Sequence, residues 1–259
     1  MTKFQYSEDF KNIIKIIIIF SLIIYMLIAN VYLEDSLKED TPFRKRFSYS
    51  PVFDFRKTFS LIFKNILTPG LRNVMVDLLL VKAHAYWHQT RWYRIPEVFE
   101  AVTILQPEWS DGWVIGAWHM AYNVTFEILQ SKIYTKQEKI KKIKWWENKS
   151  IKFLKSGLII NPNDPKIYFY LGWINYHKLK KYRMAIVYFN KTIKLKDHNK
   201  DAERLIAYSY EKLGFPKKAL DILIRLRQDK NYYDDNEYII KALDHNIYRL
   251  KLKLGLVKK

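Results

Sequence analysis

His84 and His88 stand four residues apart, a spacing that places two imidazoles on one face of a helix, where they can share a metal ion. The stretch reads His84-Ala85-Tyr86-Trp87-His88, with no glutamate after His84 to act as the base of a zinc protease. His119 is the next imidazole along the chain and the one a neighbouring helix would have to supply. No third ligand is fixed by spacing, so the three residues read equally as helix-surface or groove histidines. Nothing else is arranged for catalysis. There is no defensible Ser-His-Asp order, no carboxylate pair with a stated partner, and no Walker or dinucleotide loop. Cysteine is absent, which removes disulfides and thiolate chemistry. The expectation is a protein that is not an enzyme and needs no cofactor.

Two other groups of side chains suit binding. Trp87, Trp92, Trp109, Trp113 and Trp118 crowd one stretch, where tryptophans fill gaps between helices or serve as rigid anchors in a groove. Between Lys136 and Lys155 there are eight lysines and two glutamates, interleaved with Ile140, Ile143, Trp145, Trp146, Phe153 and Leu154. Lys139, Lys142, Trp145, Trp146 and Lys149 would form the basic, interfacial face of a helix able to meet an anionic surface. A long helix with an ordinary solvated lysine face has the same pattern.

Positioning these residues falls to helices. The 259 residues include only 7 glycines and 8 prolines, with 49% hydrophobic and 16% aromatic content, which disfavours disorder, glycine-loop nucleotide folds and most all-β folds. The formal charge of +19 suits an anionic partner, but Lys filling exposed positions in an Ile-, Asn- and Tyr-rich chain gives the same sum. Ile16 to Leu33 is an uncharged apolar run of eighteen residues, and at about 1.5 Å per residue some twenty such residues cross a bilayer core. The run is too long for a signal-peptide core and ends in no small-x-small site, so an uncleaved transmembrane helix over residues 13–33 is expected. A tail over 1–12 precedes it. Lys3, Lys11 and Lys15 beside the span favour a cytoplasmic tail, which would put the remainder on the periplasmic side. A juxtamembrane linker or cap follows over 34–71.

Internal periodicity organises the rest. In residues 199–229, Ala202, Leu205, Ile206, Tyr210 and Leu213 fall at helical spacing. Gly214-Phe215-Pro216 then breaks the helix, and Ala219, Leu223 and Leu226 mark a second one. Residues 164–197 repeat the theme: Pro165 opens a helix with Tyr168, Leu171, Gly172 and Tyr176, and Ala185, Phe189 and Thr192 follow a turn at Lys180-Lys181. Gly172 matches Ala207 and Ala185 matches Ala219, small residues where paired helices approach closely. More divergent units span 76–107, with Ala83, Tyr86, Phe99 and Pro107, and 110–162, with Trp113, Gly116 and Ala117 and about twenty extra residues. A capping helix is expected over 232–254.

These residues resemble the tetratricopeptide repeat (TPR) over residues 72–254. The strip from Val74 to Pro107, followed by Gly116 to Asn123, is also similar to a group of bacterial membrane-anchored repeat proteins, a resemblance that supplies architecture and no activity. What is implied is an all-α solenoid of about four helix pairs plus a cap, behind a single transmembrane helix. Its expected function is a scaffold that docks a protein or peptide in a concave groove. Tyr86, Trp118, Tyr122, Asn123, Asn175 and Tyr210, on first helices of their pairs, are the expected groove residues. The alternative is a binder of an anionic polymer or lipid through Lys136–Lys155 and Lys178–Lys200. A small-molecule substrate and nucleic acid are the partners the sequence argues against.

Overall fold

The structure, a computed structural model, describes residues 10, 68–229, 232 and 236–257. The chain divides into units Met1–Pro51 and Val52–Lys259, and the elements below belong to the second. The transmembrane segment expected at 13–33 and the linker before residue 68 lie outside the described residues. The single-pass membrane localisation expected from the sequence is corrected: no helix among the described residues is long and apolar enough to cross a membrane.

The described secondary structure is helical. Helix α1 (Pro69–His88) starts on Thr68, whose hydroxyl accepts from the Leu71 amide, with Pro69 in the first turn where its missing N–H costs nothing. A short 3-10 turn leads to α2 (Ile95–Leu105). Helix α3 (Ser110–Trp118) runs through a π-helical segment, His119–Asn123, into α4 (Val124–Gln130). The 25-residue α5 (Lys136–Ile160) opens with a capping box, in which Thr135 and Glu138 satisfy each other's amides. The extra residues of this unit therefore lengthen both of its helices. Then come α6 (Pro165–His177), capped by Asp164, α7 (Tyr182–Thr192), α8 (Asp201–Lys212), α9 (Pro216–Gln228) and α10 (Glu237–Lys253), capped by Asn236.

Each helix packs chiefly on its neighbours in sequence, so the core runs as a chain of buried clusters between successive helices. At Gly172 on α6, an added Cβ would lie 2.5 Å from the Phe189 ring on α7, so only glycine lets the two helices come this close. Ala207 on α8 belongs to one buried cluster with Ala219, Leu220 and Leu223 on α9. Gly214 takes φ +85° between α8 and α9, a left-handed backbone that ends a helix. Lys180 and Asp197 adopt φ of 54° and 55° in the turns on either side of α7. Burying Leu171, Leu223 and Leu243 completely stabilises the stack by about 1.5–3 kcal/mol each relative to exposure.

Candidate functional site

The π segment is where the helical rule breaks. The Val124 amide reaches back five residues to the His119 carbonyl, inserting one extra residue into the turn. This rotates the following side chains relative to α3. Trp118 and Tyr122 stack at 4.1 Å, and the Trp118 ring meets Tyr170 of α6 edge-on at 6.2 Å. Next to them opens a cleft of about 450 Å³ lined by Trp118, Tyr122, Asn123, Thr125, Phe126, Leu129, Ile143 and Lys178. Phe126 and Leu129 keep 49% and 55% of their surface in solvent, which a helix inside a stack does not need for packing.

One cation reaches this apolar space. The Lys178 ammonium donates to the Thr125 hydroxyl at 3.2 Å and lies 4.4 Å from the centre of the Tyr122 ring. Burial lowers the pKa of Lys178, with Lys180 acting in the same sense and Glu147 against it. Burial likewise raises the pKa of Glu147, while Lys178 and Lys180 oppose the rise. The Tyr122 phenol is pushed up to about 12, chiefly by burial. The nearby Trp173 indole opposes that shift without meeting hydrogen-bond geometry, for Tyr122 Oη and Trp173 Nε1 are both buried and unpartnered. Thr125 gives its proton to the Ala121 carbonyl at 2.7 Å and receives one from Lys178, the reverse of an activated nucleophile. The cleft has apolar walls and polar atoms at one side.

Of the groove residues expected from sequence, Trp118, Tyr122 and Asn123 line this cleft. Tyr86 is 3% exposed, inside the α1–α2 core. Asn175 is 4% exposed and donates to the Leu171 carbonyl at 2.7 Å, a bond internal to α6. Tyr210 is half-buried between α8 and α9, with Lys218 4.2 Å from its ring centre. Phe126 and Leu129 carry no expectation from the sequence, and Ile143 and Lys178 stand there only within the two basic strips. The signal available was Phe126, Leu129 and Ile133 at helical spacing in the inserted residues, too short a run to assign to one face.

The other candidates are placed separately. His84 and His88 bring their Nε2 atoms to 2.9 Å on an exposed face of α1. His119 lies apart from that pair, against Trp87 and Phe99, with its Nδ1 2.6 Å from the Asn123 amide nitrogen. No group of three or more His, Cys, Asp or Glu able to hold a metal occurs among the described residues. On α5, Lys139 donates to the Leu129 carbonyl at 2.7 Å, Lys142 sits over the Tyr134 ring and Lys149 pairs with Glu100 at 2.9 Å. Trp145 and Trp146 pack edge to face at 4.9 Å, with Lys149 over both. These lysines are engaged by their own chain.

No family model matches the sequence, and no curated protein is matched. Among solved structures the chain is similar to TTC0263, a thermophilic TPR protein of Thermus thermophilus, at 11% identity and a TM-score of 0.49, covering 74% of this chain and 99% of that one. It is also similar to the MamA protein, at 12% identity and a TM-score of 0.42, covering 69% and 91%. PilF of Pseudomonas aeruginosa is a third, at 16% identity and a TM-score of 0.38, covering 85% and 92%. The architecture itself rests on the chain's own packing, small residues of first helices seated against large ones of second helices in consecutive pairs. By that packing the chain has the all-helical, paired-helix architecture that the TPR resemblance implies.

Proposed function

We propose that this protein is a non-catalytic scaffold whose cleft beside α3, α4, α5 and α6 docks a segment of a partner protein. The supporting observation is the combination at one place of exposed Phe126 and Leu129, a stacked Trp118–Tyr122 pair and a half-buried cation. Rigid aromatics around a desolvated pocket are what binding hot spots are made of. An open cleft of this kind suits a peptide segment better than an enclosed small molecule. Panning a library of short displayed peptides on the purified protein tests the reading. Peptides should be recovered that bind about tenfold or more weakly to Phe126→Ser, and equally to Ile159→Ser, a change at an exposed residue elsewhere on α5. Recovery of no peptide sensitive to Phe126→Ser would sink the proposal.

A further inference from the structure

We infer that the cleft selects a segment carrying an aspartate or glutamate beside a bulky apolar residue, the carboxylate meeting Lys178 and the apolar group entering between Trp118, Phe126 and Ile143. This rests on the docking reading and names the chemistry of its partner. An ammonium has three N–H donors, and that of Lys178 has one hydrogen bond, to Thr125. No carboxylate stands within ion-pair distance of it among the described residues, and the charge of Glu147 acts on it only from further away. The Tyr122 hydroxyl, which can donate or accept, and the Trp173 indole N–H nearby are also buried without a hydrogen-bond partner. Lys178 therefore keeps donors to spare, and a half-buried cation gains most from an ionised acceptor, whose hydrogen bonds are about twice as strong as neutral ones.

The apolar half of the cleft fixes the other requirement. Phe126, Leu129 and Ile143 offer no polar side-chain atom, so a purely anionic ligand would leave them wet. An acidic side chain adjoining a large apolar one satisfies both halves at once. The whole chain adds a long-range preference in the same direction, because a formal charge of +19 attracts acidic segments and repels basic ones. The same charge opposes a second copy of this chain as the occupant.

The test uses the full chain and displayed short random peptides, panned at physiological ionic strength on wild type, Phe126→Ser, Lys178→Glu and Lys178→Gln, with circular dichroism confirming that each variant is folded. Peptides lost on Phe126→Ser should be enriched in Asp or Glu next to Phe, Leu, Ile or Trp. Their affinity should fall roughly tenfold or more in Lys178→Glu and by less in Lys178→Gln. Peptides that depend on Phe126 but carry no acid and ignore both Lys178 changes would overturn this inference and leave docking intact. If no peptide depends on Phe126, both fall. Self-association in sedimentation that Phe126→Ser abolishes would make a second copy the occupant, and the inference would again be wrong.

Discussion

The pairs α6–α7 and α8–α9 are built of regular helices, and the long pair formed by α3–α4 with α5 breaks its first helix with a π segment beside an open cleft. In the first region Asn175, Thr192 and Ser209 are buried, and each donates to a carbonyl four residues back, at 2.7, 3.1 and 2.7 Å. Small residues sit under large ones, as with Gly172 below Phe189. In the second region the helix is broken by a π segment, the Tyr122 hydroxyl is buried without a partner, and Phe126 and Leu129 face solvent. On the proposed reading the regular pairs hold the stack together and the irregular pair docks the ligand.

Substitutions should separate these roles. Truncating Leu171, fully buried in α6, to alanine should destabilise by about 2–5 kcal/mol in urea unfolding, the largest effect expected. A loss below about 1 kcal/mol would mean the regular region is not the stabilising one. Gly172→Val should follow, costing about 1–3 kcal/mol because the added methyls meet the Phe189 ring. In the π segment the effect depends on pH. Burial pushes the pKa of His119 from its ordinary 6.5 down to about 4. Between those values the unfolded chain binds a proton that the folded chain does not, so stability falls as pH drops through that window. Unfolding free energies at pH 7 and about pH 5 should therefore differ more in wild type than in His119→Gln, and equal differences would remove this account of His119. The smallest stability change belongs to the cleft itself. Phe126→Ser should leave the unfolding free energy within about 0.5 kcal/mol of wild type, since the residue is exposed.

The legible part of the fold is the part that obeys periodicity. Gly214-Phe215-Pro216 marks a helix end and a helix start because both residues act locally on the backbone, and the structure ends α8 and begins α9 there. The Gly172 and Ala207 match reflects helix approach, which sequence also records directly. A π turn leaves no such mark. His119-Met120-Ala121-Tyr122-Asn123 reads as any helix, so the shift that aims Tyr122 and Asn123 at the cleft was hidden. Tyr86 shows the complementary error: its type and position suit a groove, but a helix face is assigned by its neighbours, and α2 covers it. Lys178 was visible only as one lysine of a basic strip, because its place beside Thr125 and the Tyr122 ring depends on how separate helices pack.

The most direct test of the cleft is hydrogen–deuterium exchange of the protein with and without a peptide recovered by panning. The account predicts slowed exchange in the segments around residues 118–130 and 173–181, with α8–α10 unchanged. Protection confined to α8–α10, or spread evenly along the stack, would contradict the claim that the irregular pair carries the function.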